Sequence, residues 1–180
     1  MTHIMLIRHA EKPEDEADTG LSLRGWQRAG ALVRFFAPID AGAVRKHVEQ
    51  PGHVFAARPT DEHTSPRPRL TVEPLAEELG LQVDERFSAS EPVAHVAQVL
   101  RLLTGPVVVS WRHDELPALA NALLGREEAP LRWPDHRYDL VWVIHATSSG
   151  WSFTQVPQRL LPGDATQGIA RRLRTAPSPG

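Results

Sequence analysis

An arginine followed directly by a histidine occurs twice in this chain, as Arg8-His9 and as Arg112-His113. Each pair closes an apolar run: Ile4-Met5-Leu6-Ile7 before the first, Val107-Val108-Val109-Ser110-Trp111 before the second. Open α/β sheets place their chemistry where buried strands break into polar residues at their C-terminal ends. A guanidinium is a planar fork of donors that fits phosphate oxygens. A neutral imidazole has a free lone pair near neutral pH and can act as a nucleophile. A third cationic cluster, Arg58, Arg67 and Arg69, follows the short apolar run at residues 53–57. Strand ends in a parallel sheet share one edge, so His9 and His113 are expected to face one another across a crevice. Three cationic strand ends suit a doubly negative ligand, most simply a phosphoryl group.

The elements that must position these groups can be read from the pattern. Residues 2–7 form the first buried strand, and Ser22 caps a helix running to Phe36. Trp26, Ala29, Val33 and Phe36 recur at helical spacing and are expected to be its buried stripe. A strand at 53–57 enters a Pro-rich loop, then a helix reaches Gly80 with Pro74 kinking or restarting it. Val83 begins a short extended piece, and residues 92–103 read as helix. The strand at 107–111 precedes an apolar helix at 116–124 that Gly125 closes. Residues 140–145 and 151–156 alternate as a hairpin around Ser148-Ser149-Gly150. Alternating strands and helices predict an α/β fold, a three-layer α/β/α sandwich with a mostly parallel central sheet. Residues 1–161 are expected to be a single domain and 162–180 a polar, frayed C-terminal tail.

Composition narrows the class. The 180 residues suit one domain, and 41% apolar with 23% charged residues reads as soluble and globular. A formal net charge of −2 with interleaved signs gives no sign of a nucleic-acid or membrane partner. Cysteine is absent, which excludes disulfides and thiolate chemistry. Charges within the first dozen residues and no long apolar stretch argue against a leader or a span, so a cytoplasmic location is expected.

Four motifs in order resemble the histidine phosphatase superfamily, the phosphoglycerate mutase-like proteins. They are Ile7-Arg8-His9-Ala10-Glu11; Leu21-Ser22-Leu23-Arg24-Gly25-Trp26-Gln27-Arg28-Ala29; Arg67-Pro68-Arg69-Leu70-Thr71; and Val108-Val109-Ser110-Trp111-Arg112-His113. The resemblance covers residues 1 to about 125. It implies a phosphoglycerate mutase-like fold and a metal-independent phosphatase acting on a phosphomonoester or phosphoramidate. His9 would form a phosphohistidine, while Arg8, Arg67 and His113 surround the equatorial oxygens. No cofactor is implied. The expected partners are a small phosphorylated metabolite or phosphoprotein substrate, with inorganic phosphate as product. Residues 60–65 read as an insertion, and Arg28, where the family often has glutamine, reads as a surface residue.

Several assignments stay open on sequence. The second phosphate arginine is Arg67 by preference, since Pro68 suits a first helical turn and helix N-termini favour anions; Arg58 and Arg69 are the alternatives. The general acid is Asp114, Glu85, Glu91 or none, and Asp114 equally suits a helix N-cap. Asp61-Glu62-His63 and His113-Asp114-Glu115 lack the helical spacing of a zinc hydrolase, so no metal site is assigned. His3, His47, His53, His95, His136 and His145 read as surface or core residues. The loop holding Trp133, Asp135, His136, Arg137 and Tyr138 could border the pocket. A phosphoglycerate-type mutase and a catalytically weak phosphate-binding module are the competing functions.

Overall fold

The computed structural model describes residues 2–43 and 45–171. Its elements run β1 (His3–Arg8), α1 (Leu23–Phe36), β2 (His53–Ala56), α2 (Arg67–Leu79), β3 (Val83–Asp84), α3 (Val93–Leu102), β4 (Pro106–Trp111), α4 (Leu116–Leu124), β5 (Leu140–Thr147) and β6 (Gly150–Pro157). The strands form one sheet in the order β3-β2-β4-β1-β5-β6. β1 to β4 pair in parallel, and the β5–β6 hairpin adds two antiparallel strands beside β1. The sheet is therefore mostly parallel, as the sequence predicts.

Side chains alternate across the sheet with a period of two. Ile4, Leu6, Val107, Val109 and Trp142 pack against Val96 and Leu100 of α3 and Leu119 and Leu123 of α4. Met5, Ile7, Val108, Val141 and Val143 pack on the other face against Leu32 and Phe36 of α1 and Val72 and Leu75 of α2. This is a three-layer α/β/α sandwich. β1 and β4 are neighbours, yet β1 leads to α1 on one face and β4 to α4 on the other. Their outgoing loops diverge, which opens a crevice at the C-terminal ends of the two strands.

The start of α1 shows why its sequence motif is spaced as it is. The Ser22 hydroxyl accepts from the Gly25 amide at 3.0 Å, and the Ser22 amide donates to the Glu11 carbonyl at 2.9 Å. The loop after β1 thus lies directly on the helix. A Cβ at Gly25 would meet the Glu11 carbonyl oxygen at 2.4 Å, and that obstacle is backbone. Gly25→Ala is expected to destabilise the fold by about 2 kcal/mol despite alanine's better helix propensity. Urea unfolding measures this.

Expectations for α1 and for the C-terminal segment are corrected here. Ala29 and Phe36 are buried, but Trp26 is 47% exposed and Val33 half-buried; the stripe instead comprises Gly25, Arg28, Ala29, Leu32, Phe35 and Phe36. Arg28 is not a surface residue. Its side chain is only 2% exposed and bonds Glu11, Gln158 and Asp164 at 2.8–3.0 Å. The second correction follows from it. Residues 162–171 are not a frayed tail, because Asp164 accepts from Arg28, the Ala165 amide donates to Asp139, and the Ile169 amide donates to Gln155. Residues 172–180 lie outside the described residues.

Candidate active site

β1 and β4 run in register with Arg8 opposite Trp111, so His9 and Arg112 leave the sheet together. The His9 amide still donates to the Trp111 carbonyl at 3.0 Å. Carried one residue past the strands, the alternation turns His9 and Arg112 toward the α2 face and Arg8 toward the opposite one. A cleft with an interior volume of about 40 Å³ opens on the α2 side, and His9, Arg58, Thr60, His63, Ser65, Arg67 and Arg112 line it.

His9 is buried, and its Nδ1 lies 2.8 Å from the carbonyl oxygen of its neighbour Ala10. A carbonyl can only accept, so Nδ1 carries the proton and Nε2 keeps its lone pair. The Ala10 amide donates to the Thr71 hydroxyl at 2.7 Å, and that hydroxyl donates to the Arg67 carbonyl at 2.7 Å. One buried threonine therefore ties the histidine loop to the first turn of α2. Arg67 is fixed further by Nε on the Gly20 carbonyl (2.8 Å) and Nη2 on the Asp18 carbonyl (2.6 Å).

Arg8 and His113 occupy the other side of His9. The buried Arg8 guanidinium stacks 3.8 Å over the Tyr138 ring and donates to the Asp135, Arg137 and, more weakly, Pro134 carbonyls. His113 Nε2 meets Asp135 Oδ1 at 2.7 Å. The loop carrying Trp133 to Tyr138 does border the site, and it does so by holding the first arginine.

Neighbouring cations act on His9 from both sides. Burial lowers its pKa first and most; the hydrogen bond to Ala10 opposes this, while Arg8, Arg67 and His113 lower it further, to about 3. Folded His9 is therefore neutral where an unfolded histidine, near 6.5, takes a proton. The unfolded state binds more protons below that value, so stability falls as pH drops from about 6.5 toward 3. On the order of 2 kcal/mol is expected to be lost through this group between about pH 7 and about pH 4.5. Urea unfolding at both pH values checks it, with His9→Asn expected to flatten the difference.

The sequence matches no family model and no curated protein. Solved structures do match. A protein from Escherichia coli proposed to be an alpha-ribazole-5'-P phosphatase aligns over 87% of this chain and 97% of its own, at 13% identity and TM-score 0.58. The protein histidine phosphatase SixA, complexed with tungstate, aligns over 87% and 97%, at 18% identity and TM-score 0.55. The mycobacterial glucosyl-3-phosphoglycerate phosphatase, in complex with inorganic phosphate, aligns over 86% and 96%, at 17% identity and TM-score 0.53. The chain has the histidine phosphatase fold.

On that fold, the residues expected from sequence divide into three groups. His9, Arg67 and Arg58 share the cleft, and Arg8 and His113 flank His9 behind it. Asp114 sits beside them, but Arg112 Nη2 donates to its carboxylate at 3.0 Å. Burial would raise the Asp114 pKa; the Arg112 hydrogen bond and charge outweigh it and hold the carboxyl below its usual range. Asp114 is not the cap of α4 either, since the capping position is Glu115. The third group lies elsewhere: Arg69 pairs with Glu73 (2.9 Å) and Glu85 (3.8 Å), and neither Glu85 nor Glu91 lines the cleft. Among the described residues, no three His, Asp or Glu side chains gather as a metal site. Among them, too, no helix is long and apolar enough to cross a membrane.

Sequence reasoning missed Arg112, His63 and Ser65 as lining residues and Asp135 as the partner of His113. Arg112 had a usable signal: the alternation along β4, continued one step, puts it on the His9 face. For Asp135 the sequence pointed to its loop as a border of the pocket but not to His113 as its partner.

Proposed function

We propose that this protein is a phosphatase that hydrolyses a phosphomonoester or phosphoramidate through a phosphohistidine on His9, without a metal ion. One observation carries the reading: a buried neutral imidazole has Nδ1–H fixed on a carbonyl and Nε2 free among cationic side chains. Nε2 donates its lone pair to phosphorus as the bond to the leaving group breaks, and the leaving group departs with the electron pair of the broken bond. Water then attacks the phosphohistidine. The P–N bond breaks, its electrons return to Nε2, and the water proton passes to solvent.

Arg67, Arg8 and His113 stabilise the charge that spreads over the equatorial oxygens. Burial, and then Arg8, lower the His113 pKa against the opposing pull of Asp135 and Asp114. Neutral His113 has a single N–H, held by Asp135 at 2.7 Å, and it donates to the phosphoryl oxygens by exchanging that carboxylate for the substrate. Asp114 is the nearest candidate acid, yet its bond to Arg112 favours the ionised form. The reading consequently favours leaving groups that need little protonation, such as the ring nitrogen of a phosphorylated imidazole.

Quenching into alkaline detergent during turnover of a ³²P-labelled aryl phosphate or phosphoramidate tests the intermediate. Acid-labile, base-stable label on His9 is the expected result. Turnover with no label trapped at any time, using a substrate with fast release, would count against the phosphohistidine. Tight orthovanadate binding without turnover would favour the binding-module alternative.

A further inference from the structure

We infer that the cleft contains a second anion subsite made by Arg112 and Arg58, so that the substrate is a small phosphate compound bearing another anionic group. The inference rests on the phosphatase reading for its first anion and deepens it. Among the described residues, three arginines and two histidines line the cleft, and no aspartate or glutamate does. Neither Arg58 nor Arg67 is paired with a carboxylate among the described residues. Arg58 Nη1 donates only to the neutral Arg86 carbonyl, at 3.1 Å. A phosphoryl dianion at His9 takes up two positive charges, and Arg67 with Arg8 supplies them. Arg58 and Arg112 remain.

Arg112 carries the more specific sign. Its Nε is buried and has no hydrogen-bond partner, while Nη2 is held by Asp114 at 3.0 Å. A buried guanidinium N–H without an acceptor is costly, and most such donors in folded proteins are satisfied. Because Arg112 lines the cleft, a small turn of its side chain would bring this N–H onto a ligand anion there. Asp114 fixes the guanidinium from one side and offsets part of its charge, which leaves room for a single further negative group.

The rest of the lining sets the scaffold between the two anions. Thr60, His63 and Ser65 are polar, and the apolar members are only Ala57, Pro68 and Ala89. Thr60 and His63 exchange backbone hydrogen bonds at 2.9 and 3.1 Å, so a closed turn presents them. Ser65 donates to the Thr19 carbonyl at 2.8 Å. Among the described residues, no Phe, Tyr or Trp lines the cleft; Tyr138 stands 6.2 Å from the His9 ring, but Arg8 is stacked on it at 3.8 Å. The interior volume of the cleft is small, about 40 Å³. These features favour a short, hydroxylated or unsubstituted linker over a nucleotide.

Calorimetric titration tests this without relying on turnover. The probes are 3-phosphonopropanoate, propane-1,3-diyl bisphosphonate and the neutral-tailed butylphosphonate. Wild type is expected to bind at least one doubly anionic probe at least about tenfold tighter than butylphosphonate. The carboxylate and bisphosphonate arms tell the two kinds of second anion apart. Arg112→Gln and Arg58→Gln are each expected to pull that ratio toward one. Equal affinity for all three probes in wild type, or a ratio that survives both substitutions, would overturn the subsite. Loss of affinity for every probe in parallel, with the ratio kept, would show Arg112 to be structural and overturn it too. Retained turnover in a His9 variant would instead remove the phosphohistidine reading, and the binding ratios would still stand or fall separately.

Discussion

Replacing His9 with alanine lowers turnover of a phosphomonoester or phosphoramidate by at least about 10⁴-fold, because the attacking lone pair is gone. The expectation follows from how the ring is held. Nδ1–H on the Ala10 carbonyl fixes the tautomer, and the backbone bonds from His9 to Trp111 and from Ala10 to Thr71 fix the loop. With its pKa pushed to about 3, the nucleophile is already neutral across the ordinary working range. The acid limb of kcat/KM should therefore not fall at the usual histidine value near 6.5. Arg67→Ala removes charge stabilisation and leaves the nucleophile, so its loss is expected to be smaller, about 10²–10³-fold. Orthovanadate binding to the His9 variant, followed by equilibrium titration, checks that the anion donors are still in place. Full turnover in His9→Ala, on folded protein, would end the proposed mechanism.

Much of the layout was legible because it depends on local pattern. Residues 4–7 and 107–109 are unbroken apolar runs, as befits central parallel strands buried on both faces. The helix at 116–124 and the cap at Ser22 follow from periodicity and a hydroxyl at the right offset. The convergence of His9 and Arg67 on one cleft was legible too, since both follow strand and helix boundaries that the sequence marks. What failed needed partners distant in the chain. Arg28 looks like any polar residue on an amphipathic helix until Asp164, 136 residues later, comes back to meet it. Trp26 looked like core because an aromatic at helical spacing usually is, yet a charged cluster claimed the buried face instead. The pairing of Asp135 with His113 and the Arg8 staple were illegible for the same reason: a polar, Pro-containing loop gives no periodic signal of which side chains it meets.

That long-range cluster carries the largest expected stability effect. Arg28→Met is expected to cost about 3–5 kcal/mol, because it leaves two carboxylates without their buried cation. Glu11 and Asp164 have side chains only 12% and 3% exposed, and Arg28 bonds both at 2.8 Å. Burial would raise the Asp164 carboxyl. The Arg28 hydrogen bond, joined by the Leu160 and Leu161 amides, instead brings its pKa down to about 2. Burial would likewise lower the Arg28 pKa, and its bonds to Asp164 and Glu11 outweigh that and raise it. Arg24, half-exposed at 3.4 Å from both carboxylates, can replace only part of the lost charge. The sign of the pH dependence separates lost charge from lost packing. In wild type, the depressed Asp164 pKa contributes stability above about pH 4 that is lost as pH falls toward 2. Without Arg28 the orphaned carboxyl has its pKa raised, so protonation relieves the defect and the gap between variant and wild type narrows below about pH 5. Adding Asp164→Asn to Arg28→Met should likewise recover a large part of the loss at neutral pH. Since Glu11 follows His9 by two residues and Asp164 anchors residues 160–165, local loosening should also appear as faster proteolysis at 159–171 and a fall in kcat. Urea unfolding of the single and double variants at neutral and acid pH decides the matter: a deficit that is the same at both, and unchanged by Asp164→Asn, would mean that Arg28 fills space and does not neutralise charge.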